Sequence, residues 1–421
     1  MQISVIALLA AASAAAYQVP SASLKRSTIR CHRPDVADVR MAKKAKPDPR
    51  VWLPKRSSRF AREVDVALQL VSRAAAATAR ADPQVATITA QALVCDGIAS
   101  EFADDTVIAP ESGSSLDACD ADAQKLALEL VNEIGATTPC VNDFLPPYPD
   151  AVRAIACKDV AEMKTALDTG LSPAITARTW VLAPITDAEQ PAVSLALLEG
   201  GQPVVCAVAL PKLPRNAMSG EKLLRMTVSF DGQNGAVPPP DGTIMWAEEN
   251  VGAYERSIGG EHGTDVRIRV DRSLIGKRDI ASGQVTGVQD FGDVTICEAT
   301  AQPRAAELAK RCGITASPLQ AGGPFAYGLV ARGEAQALFN LPDDAASFDS
   351  HIAAHAAGSL LVYEAGGLVT DTTGNELDFS CGRDTAQLPA TVVGTIATNK
   401  DIHPGVLRNM AAGSMEAASD T

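Results

Sequence analysis

Five histidines, nine cysteines and scattered carboxylates are the raw material for catalysis in this 421-residue chain, and their spacing narrows the chemistry. His351 and His355 stand four apart in a stretch of helical composition, so they share one helix face. Two histidines with carboxylates nearby could hold zinc or another transition metal. Hydrogen bonding near a helix start is the plainer use of both rings. The cysteines, at 31, 95, 119, 140, 157, 206, 297, 312 and 381, form no Cys-x-x-Cys pair. That excludes a zinc ribbon and a thioredoxin-type motif and does not suggest a disulfide framework, so most thiols are expected as small buried apolar groups. Gly366-Gly367 resembles a phosphate loop, but between a helix and a strand it reads as a helix stop that needs no ligand.

The elements that must position these groups follow from hydrophobic pattern. From Trp180 a hydrophobic strand runs into a turn at Pro184, and a hairpin follows: a strand over 192–198, a turn at Glu199-Gly200-Gly201-Gln202 and a strand over 204–210. Both hairpin strands are nearly continuous apolar runs, as in a sheet covered on both faces. Upstream, Phe60, Val64, Ala67, Leu68, Val71, Ala74 and Ala75 give residues 59–81 one buried helical face, which Asp82-Pro83 ends. Residues 90–102 read as a second helix, 106–108 as a short strand, and 117–135 and 151–169 as helices around a proline-rich surface loop. Residues 212–242 are expected to be an exposed excursion. Beyond it, 293–297, 327–332 and 335–339 read as strands, and Asp349 or Ser350 caps a helix over 351–365. A strand over 368–370 and a turn over 371–374 follow, and a frayed tail begins at Met410.

With 46% hydrophobic residues and a mean hydropathy near zero, the chain can bury a core as two domains or one large layered unit. Residues 1–46 carry eight basic and two acidic groups, leaving 29 basic and 48 acidic groups in the body, a formal charge of −19. So acidic a body argues against nucleic acid as a partner. Residues 3–16 are apolar, end in Ala14-Ala15-Ala16 and are too short to span a bilayer, which is signal-peptide chemistry. Lys25, Arg26, Arg30 and Arg33 follow among serines with no acid before Asp35, which is transit-peptide chemistry. The pairing resembles the bipartite plastid leader of algae with secondary plastids, with Tyr17 where phenylalanine is usual; ordinary secretion is the alternative. No later apolar run is long enough to cross a membrane.

Two blocks carry a family resemblance. Trp180-Val-Leu-Ala183-Pro-Ile-Thr186-Asp187 is similar to the inositol monophosphatase superfamily segment Trp-Val-Leu-Asp-Pro-Ile-Asp-Gly. His355-Ala-Ala-Gly and Glu364-Ala-Gly-Gly, after Ile352-Ala353-Ala354, resemble the Ile-Trp-Asp-His-Ala-Ala-Gly and Glu-Ala-Gly-Gly text of the 3'(2'),5'-bisphosphate nucleotidase branch. The resemblance implies an α/β (α+β) fold, the layered αβαβα sandwich, with an N-terminal α+β domain over 51–265 and a C-terminal α/β domain over 266–410. The leader over 1–46 precedes them, and a disordered tail over 411–421 follows.

It also implies a magnesium-dependent phosphatase site, and there the chain departs from the pattern. In register, Pro110, Ala183, Thr186 and Ala354 occupy the four ligand positions, and Thr87 occupies that of the water-orienting Asp. Metal-assisted hydrolysis of a phosphate monoester needs the cations, and magnesium needs carboxylate oxygens to compete with its hydration shell. Of the four, Thr186 alone offers an oxygen, and it is neutral. Asp187 and Glu189 add anions where the family's Gly-Thr leads to a phosphate-binding helix start. Gly323-Pro324-Phe325-Ala326-Tyr327 stands where the branch reads Ser-Gln-Ala-Lys-Tyr, without the lysine. Glu111, Asp187 and His355, beside the vacated positions, are the residual metal candidates; the plainer reading makes the carboxylates solvated or capping groups. The expectation is a catalytically dead or very weak phosphatase relative that needs no cofactor and serves a binding or regulatory role. Its ligand would be an adenosine phosphate or an inositol phosphate, with neither nucleic acid nor membrane as partner. The alternative is an active magnesium-dependent phosphatase acting on 3'-phosphoadenosine 5'-phosphate or an inositol phosphate.

Overall fold

The structure is a computed structural model, and it describes residues 59–137, 152–172, 175–185, 189–214, 242–258, 265–271, 294–298, 302–380 and 386–419. The expected leader, nearly all of the 212–242 excursion, most of the proline-rich loop, and Thr186 with Asp187 lie outside these residues.

The first helix, α1 (Ala61–Thr78), buries Val64, Ala67, Leu68, Val71, Ala74 and Ala75, the face its spacing marks. The next, α2 (Pro83–Glu101), begins earlier than the sequence suggests. Asp82 and Pro83, read there as a stop, are its N-cap and first residue: the Asp82 carboxylate accepts from the Gln84 and Val85 amides, and proline is tolerated at N1. Residues 85–91, which the family resemblance implies as a loop, are therefore helical. Then come β1 (Thr106–Ile108), α3 (Gly113–Asp117), α4 (Ala121–Gly135) and α5 (Val160–Asp168). The helix expected over 151–169 is confined to α5, because side chains hold the preceding segment extended. Arg73 donates to the carbonyls of Val152 and Arg153, Gln69 accepts from the Val152 amide, and Asn132 pairs with both main-chain groups of Cys157.

The first sheet continues through β2 (Arg178–Ile185), β3 (Ala192–Glu199), β4 (Gln202–Leu210), β5 (Thr243–Glu248), β6 (Gly252–Ser257) and β7 (Val266–Arg267), lying side by side in chain order after β1. The β1 and β2 strands are parallel, and every later pair is antiparallel. Gly200 and Gly201, at φ +60° and +83°, make the two-residue turn between β3 and β4. Alternate residues of β3 enter different cores: Val193, Leu195 and Leu197 face α1 and α2, while Ala192, Ala196 and Leu198 face the other way.

The second sheet is built from β8 (Ile296–Glu298), β9 (Leu319–Gln320), β10 (Ala337–Asn340), β11 (Gly367–Asp371) and β12 (Thr395–Asn399), in the order β11-β12-β10-β8-β9. Its helices are α6 (Pro303–Arg311), α7 (Gly323–Ala331), α8 (Ile352–Glu364) and α9 (His403–Ser419). Of residues 327–332, expected as a strand, 327–331 belong to α7 and Arg332 is its C-cap. Pro324 starts that helix, and burial of Pro324 through Ala331 erases the period that would reveal it. The cap of α8 is His351 rather than Asp349 or Ser350, its Nδ1 accepting from the Ala353 amide. Past Met410, where fraying was expected, the backbone stays helical to Ser419.

One core lies between the outer helices and the first sheet, and a second joins both sheets to α7 and α8. The third lies under α6 and α9 on the far face of the second sheet, giving the αβαβα layering. Leu53–Thr421 forms one compact unit. Among the described residues no helix is long and apolar enough to cross a membrane. The described cysteines are free thiols, buried at 95, 157, 206, 297 and 312 and half-buried at 119.

Candidate functional site

The parallel pairing of β1 with β2 matches Ile108 to Val181, so the segment Ala109-Pro110-Glu111-Ser112 leaves the sheet beside Leu182 and Ala183. The Ala109 amide donates to Gly170 O at 2.8 Å, fixing where the loop departs. Gln91 of α2, fully buried, then clamps it: the Glu111 amide donates to Gln91 Oε1 at 2.8 Å, and Gln91 Nε2 donates to Glu111 O at 2.6 Å. Farther along, the Gly113 amide donates to Asp168 Oδ1 at 2.7 Å, which ties α3 to α5. No role was assigned to Gln91 from sequence, yet a signal was there. A polar side chain inside Ala90-Gln91-Ala92-Leu93-Val94 cannot be buried without a partner.

The rear of β2 is anchored by Asp105, also unmarked in the sequence reading. Its carboxylate accepts from Arg178 Nε at 2.9 Å and from Trp180 Nε1 at 2.9 Å, and Arg178 also pairs with Glu63 on α1. The indole of Trp180 stacks on Phe102 with centroids 5.5 Å apart. At the other end Ala183 is half-buried and packs against the core that contains Ile352 and Ala353. The β2 exit and the start of α8 thus share that core.

His355 lies in the interior beside this start and is 3% exposed. Its Nε2 faces the Asp349 carbonyl at 2.7 Å and must carry the proton there; Nδ1 then accepts from the Tyr327 hydroxyl at 2.9 Å. Phe348 stacks on the ring. Burial pushes the imidazole below its ordinary pKa, so it is neutral and fully engaged within the protein. Burial likewise holds His351 below its ordinary value, which its capping lone pair requires. Thr87 is a half-buried helix residue whose hydroxyl donates to Pro83 O at 2.8 Å.

The inositol monophosphatase family profile matches residues 177–412, more than half of the chain. The chain belongs to the inositol monophosphatase family. It is 31% identical over 267 residues to the 3'(2'),5'-bisphosphate nucleotidase of Schizosaccharomyces pombe, covering 61% of this chain and 65% of that one. It is 29% identical over 312 residues to the 3'(2'),5'-bisphosphate nucleotidase of Oryza sativa, covering 71% and 77%. The chain therefore spans just under two thirds of the yeast relative's length. Among solved structures, Thermotoga maritima IMPase superposes with a TM-score of 0.47 at 15% identity, covering 84% of this chain and 99% of that one.

Membership brings an expectation of magnesium, and the donors can be compared with it. Among the described residues no group of three or more His, Cys, Asp or Glu side chains is arranged to hold a metal ion. Pro110, Ala183 and Ala354, which the resemblance implies at ligand positions, carry no donor atom on their side chains. Of the residual candidates, Glu111 is half-buried on the clamped loop, His355 has both nitrogens committed, and Asp187 lies outside the described residues. The described donors of this family member do not fit a magnesium pair.

Proposed function

We propose that this chain is a 3'(2'),5'-bisphosphate nucleotidase-like protein that keeps the phosphatase fold and hydrolyses its ligand feebly or not at all. It serves as a binding or regulatory module for an adenosine phosphate or an inositol phosphate. One observation carries this reading: on a scaffold whose loop clamp, strand anchor and helix cap are intact, the side chains at 110, 183 and 354 offer no oxygen. Phosphate-ester hydrolysis by metal ions depends on such oxygens to retain the cations. A second reading, an active magnesium-dependent phosphatase, is favoured by the names of the relatives and by the carboxylate that remains at Glu111. The acidic-poor, serine-bearing leader supports delivery to a plastid, which a fluorescent fusion of residues 1–46 would report.

The test is phosphate release from 3'-phosphoadenosine 5'-phosphate and from inositol phosphate in magnesium, with Glu111→Gln run alongside. Equal, background release by both proteins is expected. Turnover that Glu111→Gln abolishes would overturn the inactive reading in favour of the second.

A further inference from the structure

His351 and His355 share a helix face by spacing, yet the fold gives the two rings different work. His355 is enclosed, with both nitrogens engaged, while His351 is half-buried at the N-cap of α8. In the first turn of that helix Ile352, Ala353 and His355 are buried, and His351 and Ala354, three apart on one face, are half-open. The start of α8 packs on β2 and shares its core with half-buried Ala183, which places this open pair beside the candidate site.

The ring is held in one place and one tautomer. The His351 amide donates to Asp349 Oδ1 at 3.0 Å, the Leu388 amide to Ser350 O at 2.7 Å and the Ile352 amide to Ala386 O at 2.9 Å, so the backbone around the cap is fixed from both sides. Nδ1 accepts from the Ala353 amide at 3.3 Å, and the ring proton therefore sits on Nε2. Among the described residues Nε2–H meets no acceptor. The amides of the first turn are already committed: Ile352 N to Ala386 O, Ala353 N to Nδ1, and Ala354 N to His351 O at 3.0 Å. The cap thus takes up a main-chain donor and turns out an imidazole donor in its place, at the positive end of a 13-residue helix.

We propose that His351 is a phosphate-recognising residue, its Nε2–H, oriented by the cap, donating to a phosphate oxygen of the ligand. This rests on the reading that the cleft takes a phosphorylated ligand. With no side-chain oxygen at 110, 183 and 354 and no lysine over 323–327, such a ligand must be met by hydrogen bonds from the protein itself. A hydrogen bond to an ionised acceptor is stronger than one between neutral groups. Burial holds the imidazole below its ordinary pKa, which keeps Nδ1 free to cap the helix.

Nitrogen-15 NMR of the His351 ring in the full chain, titrated with inorganic phosphate and with 3'-phosphoadenosine 5'-phosphate, tests this alongside calorimetry. The expected result is a saturable shift of the Nε2 signal that follows the binding heat, while Nδ1 remains an acceptor. Two variants separate the cap from the ligand. His351→Asn supplies a capping oxygen but is too short to reach with a donor, so it should keep the parent Tm and bind either anion about tenfold more weakly. His351→Gln loses the cap but can set an amide N–H near the position of Nε2–H, so it should melt lower and regain most of the affinity. A ring signal that stays fixed while 3'-phosphoadenosine 5'-phosphate binds overturns the assignment and leaves the proposed function standing. Binding by His351→Asn within about twofold of the parent, or no binding of either anion, also overturns it. Inorganic phosphate bound through His351, with 3'-phosphoadenosine 5'-phosphate no tighter, supports the assignment and removes the adenosine phosphate from the proposed function. Should a variant fail to fold, the ring signal of the unmodified protein decides.

Discussion

Replacing Gln91 with leucine keeps the buried volume of the side chain nearly constant and removes both arms of the clamp on the Glu111 loop. The Glu111 N–H loses its acceptor at 2.8 Å, and its C=O loses a donor at 2.6 Å. A buried main-chain group left without a partner costs about 1–3 kcal/mol. Glu111 is half-buried, so water recovers part of each loss, and the two together should cost about 2–3 kcal/mol. At roughly 1.3 °C per kcal/mol for a cooperative unit as large as Leu53–Thr421, differential scanning calorimetry should show Tm falling by about 3–4 °C. Gln91→Glu is the informative companion. It keeps the acceptor for the Glu111 amide but sets a carboxylate oxygen against the Glu111 carbonyl, which raises the pKa of the new group in the folded state. Its deficit should therefore shrink as pH falls and the carboxyl becomes a donor, and grow as pH rises. A Gln91→Leu protein within about 0.5 kcal/mol of the parent would refute the clamp.

Asp105→Ala leaves the Trp180 indole without its acceptor and Arg178 with Glu63 alone, and because the carboxylate is buried while Arg178 is only partly so, equilibrium denaturation should show a loss of about 2–3 kcal/mol. A loss under about 1 kcal/mol would show that β2 is positioned by other contacts. Gly358→Ala sets a methyl 2.3 Å from Tyr327 Cδ2 and 2.4 Å from its Cγ, so α7 and α8 must separate. The expected cost is about 1–3 kcal/mol with a changed near-ultraviolet spectrum, and an unchanged Tm would contradict the close approach. Burial pushes the thiol of Cys95 up to about 12 and those of Cys157 and Cys312 to about 11. Peptide mapping after alkylation at pH 8 should find these three unmodified until denaturant is added, and native-state labelling of Cys95 would disprove its burial.

Strong, regular patterns were legible in the sequence: the one-faced helix α1, the doubly covered hairpin of β3 and β4, and the glycines that turn it. What escaped was structure decided by long-range partners. Residues 152–158 have helical composition, yet Arg73, Gln69 and Asn132 hold their main chain extended from other elements. The α7 helix is buried all round, so its apolar run had no period to distinguish it from a strand. Asp82-Pro83 carries the same letters whether it ends one helix or begins the next, and the Asp82 side chain settles it by accepting two amides of α2. At the candidate site the letters show directly that Pro110, Ala183 and Ala354 carry no side-chain oxygen. The groups that shape the site, Gln91 and Asp105, could not be read there, because their roles depend on which main chain or ring they meet.

The most direct test of the proposal that this protein lacks the fixed negative oxygens that hold divalent cations is a calorimetric titration of the folded protein with magnesium chloride, read together with Tm. The expected result is no saturable heat and no rise in Tm through millimolar magnesium. A saturable, two-equivalent binding isotherm that Glu111→Gln removes would contradict it.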